Sequence, residues 1–475
     1  MKSNEFELLC TGGDERLDIL ENGLNKYFIH PTQFNETVFR GSCTCNSLNI
    51  DSSVEFNHIV EDLNQNGLHQ YQIEELRSQI RTAFQTNDNS VDFEVFIAPS
   101  GTDLVYLPLL FKSIIEPNKR IINVLTCPEE LGSGTVLASQ GKFYFSKNQF
   151  GETVSKNEPI GLHSEIDLIE LAARDENGNI HKHELEIQRI IQNKTHDQTL
   201  LINLVLGSKS GIEDNLSLIP KYKNDALFVV DMCQLRVNND LINQTLANGA
   251  CVMITGSKFF QAPLFCAALF VPSNVIHQIQ SNQLDLKSNQ PSMVEGINQI
   301  FAQSDFPPVL SNLRSQLREF YNEGLYCRWR IAINEIERFN QLDQHQVTQL
   351  IAVWNSYVST EISHNPHYEL MKDFDLTNKS IISFRVKFDS GKYLAHEELQ
   401  FLYQQLLTSN SELLDGKKLQ MGQPVRYGDK SFIRLAIGAV NIRKFIKEGL
   451  DLNFESRILE SISQVLKRMQ HANGY

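Results

Sequence analysis

From about residue 55 onward, short apolar runs alternate with longer amphipathic segments, a pattern that predicts strands and helices in succession. Val54 to Phe84 has mainly helical spacing. Phe93 to Ala98 is an apolar run that stops at Pro99-Ser100-Gly101 and reads as a buried strand, and Thr102 to Ile115 returns to helical spacing. Ile121 to Thr126, Leu200 to Leu206, Leu227 to Asp231, Cys251 to Thr255 and Cys266 to Pro272 are short, continuously apolar or rich in β-branched residues. The segments between them are long enough for crossover helices. Strands buried on both faces look like this, so the pattern predicts an α/β fold with a mainly parallel sheet covered by helices.

After Asp305-Phe306-Pro307-Pro308 the pattern changes. Leu313 to Phe339 predicts one long amphipathic helix, and Ile381 to Phe388 and Phe432 to Ile437 predict strands among further helices. These changes divide the chain into an N-terminal arm at 1–50, a large domain at 51–309 and a small α/β domain at 310–475.

Composition narrows the function classes. Lys and Arg number 43 against 57 Asp and Glu, and the resulting net charge of −14 disfavours nucleic acid and anionic membrane surfaces as partners. A local basic pocket for one small anion stays compatible with that total, because a site is made by a few residues. The opening Met1-Lys2-Ser3-Asn4-Glu5-Phe6-Glu7 lacks a basic region followed by an apolar stretch, and no uncharged apolar run approaches a membrane span. A soluble, cytoplasmic protein is the expectation. The eight cysteines are dispersed, several within apolar runs, as free thiols in a reducing compartment would be. Cys43-Thr44-Cys45 is a close pair, but no second Cys/His pair at zinc-finger spacing joins it, so no metal is expected.

Three places at the carboxyl ends of predicted strands carry candidate chemistry, because ligands of open α/β sheets bind outside those ends. Ser100-Gly101-Thr102 offers a tight turn, backbone N–H groups and two hydroxyls at a helix start, which suit a phosphate and would equally make an ordinary helix N-cap. Asp231 ends the strand Ala226 to Asp231, where a carboxylate either caps the next segment or holds a cationic ring nitrogen. Lys258 follows the strand Cys251 to Ile254 in Thr255-Gly256-Ser257-Lys258-Phe259-Phe260. It is either an exposed turn lysine or an amine whose desolvation between two apolar runs favours the neutral nucleophile.

In this order and spacing, Ser100-Gly101-Thr102, Asp231-Met232-Cys233-Gln234 and Thr255-Gly256-Ser257-Lys258 resemble fold type I enzymes dependent on pyridoxal 5′-phosphate. The branch is that of class V aminotransferases, cysteine desulfurases and kynureninase. The resemblance runs over roughly residues 90 to 275, with Gln261-Ala262-Pro263-Leu264-Phe265-Cys266-Ala267-Ala268-Leu269 similar to a Gly-Pro-x-Gly-x-Leu stretch, and more loosely beyond. It implies a seven-stranded-type, mainly parallel large-domain sheet with helices on both faces and a smaller α/β C-terminal domain. It also implies Lys258 as the Schiff-base and catalytic lysine, Ser100, Gly101, Thr102 and Thr255 around the cofactor phosphate, Asp231 at the pyridine nitrogen and Gln234 at the phenolic oxygen. Phe432-Ile433-Arg434-Leu435-Ala436-Ile437-Gly438 resembles the small-domain strand that carries an arginine for the substrate carboxylate, a task suited to a planar guanidinium. Arg434 would also serve as a structural surface residue. A homodimer with a small amino compound as substrate follows from the same resemblance.

Two departures stand out. Where the family often has a Glu-His pair whose ring stacks on the cofactor, this chain reads Cys127-Pro128-Glu129-Glu130-Leu131-Gly132, and no stacking residue can be named. Lys209, in Gly207-Ser208-Lys209-Ser210-Gly211, stands where an asparagine is expected. A desulfurase is disfavoured because no cysteine follows Cys327, which itself falls in the helix Leu313 to Phe339. The expectation is an aminotransferase, with a lyase or carbon–carbon bond-forming transferase as the alternative. From another class stands a non-catalytic binding protein that kept the fold. A plain nucleotide-binding enzyme lacks its Gly-x-Gly-x-x-Gly fingerprint.

Overall fold

A computed structural model describes all residues except 1–3, 33–35, 45, 87–90, 163–164, 283–289, 372–378 and 474–475. The strands, in chain order, are β1 (Thr37–Arg40), β2 (Phe93–Ala98), β3 (Arg120–Thr126), β4 (Ile166–Leu171), β5 (Gln198–Val205), β6 (Ala226–Asp231), β7 (Cys251–Thr255), β8 (Ala267–Pro272), β9 (Tyr368–Leu370), β10 (Ile381–Val386), β11 (Lys418–Tyr427) and β12 (Lys430–Ala436).

The continuous apolar runs are strands with two buried faces. On β2, β5, β6 and β7 the residues Phe93, Val95, Ile97, Leu200, Ile202, Phe228, Val230, Val252 and Ile254 enter one core. Their alternates Phe96, Ala98, Leu201, Leu227, Val229, Cys251 and Met253 enter a second. A side-chain period of two sends neighbours to opposite faces, so both faces must be covered. Helices Ile50–Asn66, Gln70–Phe84 and Glu323–Asn340 cover the first, and Tyr106–Ile115, Ser273–Ser281 and Pro291–Ile297 the second. The resulting seven-stranded sheet has the order β2-β8-β7-β6-β5-β3-β4, parallel throughout except that β8 runs antiparallel to β2 and β7.

One predicted helix is shorter than its pattern. Leu313 belongs to the short helix Ser311–Arg314, and the long helix begins only at Glu323. Between them the chain is held beside residues 302–305: Gln303 N–H donates to the Arg318 carbonyl (2.9 Å) and the Ser304 hydroxyl to the Phe320 carbonyl (2.6 Å). Asn322 then accepts from Leu325 N–H (2.9 Å) as the helix cap. Tertiary hydrogen bonds outcompete the helical periodicity there.

The second sheet has the order β1-β11-β12-β10-β9. β1 comes from the N-terminal segment and pairs parallel with β11, from Thr37 opposite Lys418 to Arg40 opposite Met421. The arm is therefore built into the sheet of the C-terminal part. A bulge between Gly422 and Val425 interrupts the β11–β12 register, where Gly422 lies opposite Arg434. Among the described residues, no helix is long and apolar enough to cross a membrane.

Candidate active site

The carboxyl ends of β2, β6 and β7 open into one cavity of about 370 Å³. Ser100, Gly101, Thr102, Asp231, Gln234, Thr255 and Lys258 all line it. The sheet topology brings these together: β8 inserts between β2 and β7, and the parallel β7–β6 pair aligns Met253 with Asp231, two residues before Thr255.

At one end the turn after β2 starts a helix whose first N–H groups, at Gly101 and Thr102, have no partner within the helix itself. A Cβ on Gly101 would stand 2.8 Å from Cys233 Sγ, so only glycine lets the helix start approach this closely. The Ser100 hydroxyl is already engaged. It donates to Asp103 Oδ2 (2.9 Å) and accepts from Arg16 Nη2 (3.1 Å). Thr255 likewise spends its hydroxyl hydrogen on the Cys233 carbonyl (3.0 Å). The donors left for an anion are the Gly101 and Thr102 N–H groups, the Thr102 hydroxyl and the guanidinium of Arg16, which also lines the cavity. Arg16 lies over the Phe265 ring (4.5 Å) and pairs with Asp14. Burial opposes ionisation of Asp14, but Arg16 prevails and holds its carboxyl below the usual range. Asp103, beneath them, is pushed up to about 6 by burial and by the Asp14 charge.

In the middle, Lys258 sits half-buried on the turn after β7, in a loop clamped by Asn46, whose Nδ2 donates to the Ser257 carbonyl (2.7 Å). Asp231 Oδ1 accepts from Cys233 N–H (2.8 Å), which fixes the carboxylate at the cavity wall. Gln234 donates to the Ser42 carbonyl (3.0 Å) and accepts from Arg236 Nε (3.3 Å), so its amide nitrogen keeps one N–H for a ligand.

At the other end, Arg434 is fully buried and does not itself line the cavity. It reaches the wall through Ser42 and Cys43, its Nε donating to Ser42 Oγ (3.1 Å) and its Nη2 to Cys43 Sγ (3.3 Å). Lys209 does line the cavity. Burial, then the Arg434 charge, push its amine down to about 8. From the loop after β3 come Glu130, Leu131, Gly132, Ser133 and Thr135, none aromatic, and the rings in the wall are Tyr27 and Phe265.

Sequence reading named the arm around Arg40-Gly41-Ser42-Cys43 as a seat of substrate specificity but assigned none of its residues a role. Arg16, Lys26, Tyr27, Ser42, Cys43 and Thr44 all face the cavity. The only local signal was a charged cluster, Asp14-Glu15-Arg16, after a glycine pair. Two thiols line the cavity, Cys43 from this arm and the buried Cys233 after β6, and Cys45 lies outside the described residues. Away from the cavity, Cys127, His183 and Asp214 bring ligand-type atoms within 4.8 Å of one another. There both His183 ring nitrogens are already used, by Asp214 (2.8 Å) and by the Ala172 carbonyl (2.9 Å).

These residues fit pyridoxal 5′-phosphate. An amine, a carboxylate and a cluster of anion donors line a single cavity, and the glycine-only approach at Gly101 brings the backbone donors to its wall. No family model and no curated protein matches the chain. Among solved structures, the cysteine desulfurase CsdA of Escherichia coli superposes with a TM-score of 0.55 at 10% identity, over 90% of this chain and 94% of that one. Mouse CSAD in its apo form gives 0.54 at 14% identity, over 90% and 83%. A NifS-like protein of Rickettsia africae gives 0.52 at 13% identity, over 90% and 99%. The chain has the fold of the type I pyridoxal phosphate-dependent enzymes.

Proposed function

We propose that the chain binds pyridoxal 5′-phosphate on Lys258 and transaminates a small amino compound. The observation that carries this is the single cavity shared by Lys258, Asp231 and the Gly101–Thr102 turn. When bound, the cofactor supplies an electron sink for a bond broken at the substrate Cα.

The chain's own residues do the rest. Gly101 and Thr102 N–H groups, with Arg16, hold the phosphate in place. Asp231 keeps a proton on the ring nitrogen by pairing with it in a site of low dielectric. Lys258 would carry the cofactor covalently, and its freed amine would take the substrate Cα proton and pass it on away from Cα, as transamination requires. Arg434, behind the wall, holds Ser42 and Cys43 in place and adds its positive charge to the end of the cavity where the substrate carboxylate would sit. The arm contributes Ser42, Cys43 and Thr44 to the cavity wall around the amine.

Transamination is the favoured outcome, with a lyase or carbon–carbon bond-forming transferase as the alternative. A binding protein without chemistry fits less well, since it has no use for an amine and a carboxylate in one cavity. A homodimer in the cytoplasm belongs to the same reading and rests on the family resemblance. Light scattering on the purified protein tests the dimer.

The decisive experiment adds pyridoxal 5′-phosphate to purified protein, reduces with borohydride and maps the modified peptide. Attachment at Lys258, lost in Lys258→Ala, is expected. A colourless protein with no modified lysine would overturn the assignment. An amino-donor screen then separates the reactions: pyridoxamine phosphate accumulates in transamination, whereas carbon dioxide release marks a decarboxylase. Alanine formed from cysteine, with the sulfur left as a persulfide on Cys43, would instead mark a desulfurase.

A further inference from the structure

The substrate end of the cavity holds positive charge that the protein does not balance. Lys209 and Arg236 each feel the charge of Arg434, and among the described residues none of the three has a carboxylate within 4.0 Å. The carboxylate whose charge acts on Lys209, Glu130, is already engaged: Arg174 Nε, the hydroxyls of Ser208 and Ser210 and the Ser210 N–H all donate to it. A buried cation without a partner costs several kcal/mol in general. Such an accumulation is the more unexpected in a chain with a net charge of −14.

Elsewhere the same chain neutralises or saturates its buried cations. Arg40 pairs with Glu455. Arg328, fully buried and without a carboxylate, gives its guanidinium to the carbonyls of Phe265 (2.9 Å), Leu8 (3.2 Å), Thr11 (2.7 Å) and Gly12 (2.9 Å). Arg236 and Arg434 are left incomplete. Nη2 of the first and Nη1 of the second are buried with no hydrogen-bond partner among the described residues. The amine of Lys209, half-buried in the cavity wall, makes no hydrogen bond among the described residues. Buried polar groups are almost always satisfied, so unused donors that cluster beside a cavity point to a ligand that satisfies them.

One substrate carboxylate at this end of the cavity would balance only part of the charge of Lys209, Arg236 and Arg434. We propose that the amino substrate carries a second acidic group besides its α-carboxylate, and that Lys209 holds it. This rests on the reading that an amino substrate is processed at Lys258. Lysine is a compact point charge without the planar fork of arginine, so a carboxylate, a sulfur oxyacid or a phosphate would each suit it. Arg434 and Arg236, one layer behind Ser42, Cys43 and Gln234, supply the field that favours a dianion over a monoanion. Burial and Arg434 bring the Lys209 amine down to about 8, and an anion seated against it favours its charged form, so binding takes up a proton above that pH.

The test uses holoprotein and two sets of probes. Succinate against butyrate reads recognition by calorimetry without chemistry. Aspartate against asparagine, glutamate against glutamine and phosphoserine against serine read it through the visible spectrum and distinguish the kind of acid. The diacids are expected to bind at least about ten-fold more tightly than their mono-acid partners, with proton uptake above pH 8. Lys209→Met should remove that preference while leaving butyrate binding unchanged, and Lys209→Arg should restore part of it. Equal binding of succinate and butyrate, or an equal loss of both in Lys209→Met with an unchanged melting curve, would overturn the proposal. Failure of the cofactor reading gives a different result, no label at Lys258, and the succinate and butyrate titrations still decide the charge preference.

Discussion

Arg40 on β1 and Glu455 on the helix Leu452–Asn473 form a buried ion pair between residues 415 positions apart, with Arg40 Nε donating to Glu455 Oε2 at 3.1 Å. Trp354 Nε1 donates to the same oxygen at 2.9 Å. The pair ties β1, itself paired with β11, to that helix, and the chain then runs directly into Ser42, Cys43 and Thr44 at the cavity wall.

Removing one partner leaves a buried charge alone. Glu455→Ala should destabilise the protein by about 3–5 kcal/mol, read by denaturant unfolding, whereas Glu455→Gln, which still accepts from Trp354 and Arg40, should cost less. If the pair anchors the arm, Glu455→Ala also releases bound pyridoxal phosphate faster on dialysis. Unchanged retention would show that β1 stays seated without it.

The Gly101 contact can be tested by paired substitution. Gly101→Ala places a methyl 2.8 Å from Cys233 Sγ and should shift the turn that carries the anion donors. A roughly ten-fold or greater loss of pyridoxal phosphate affinity is expected. Adding Cys233→Ala removes the clashing sulfur, so the double variant should recover part of that loss. Additive losses would mean that the two residues are not coupled.

Asp305 sets a pH dependence of stability. It is fully buried, and burial pushes its carboxyl up to about 7. Oδ2 accepts from Gln149 (2.9 Å) and from Ala302 N–H (2.8 Å), while Oδ1 has no partner among the described residues. A group raised above its unfolded value of about 4 stabilises fully below that pH and loses the contribution as pH rises through its folded value. Stability should therefore fall between about pH 4 and 7 from this residue. Asp305→Asn keeps the acceptor and cannot ionise, so it should flatten that fall and raise stability at pH 8 by a few kcal/mol. Equal slopes in urea unfolding from pH 5 to 8 for the two proteins would refute the assignment.

The sequence by itself determined the large sheet and the middle of the site. Runs such as Leu227 to Asp231 and Cys251 to Thr255 can be buried on both faces only in a covered parallel sheet, and the residues at their ends lie where such sheets bind ligands. Asp231, Thr255, Lys258 and the Ser100 turn were legible because each sits next to a strand whose identity is local. Tertiary structure alone decided the rest. β1 pairs with a strand about 380 residues later, and pairing between distant segments leaves no period in either. The helical pattern from Leu313 was overruled by hydrogen bonds to residues 303 and 304. Arg16, Cys43 and Lys209 become neighbours of the cavity only when the arm folds over it, and the lack of a counter-charge for Lys209, Arg236 and Arg434 is a property of the packed interior that no linear pattern records.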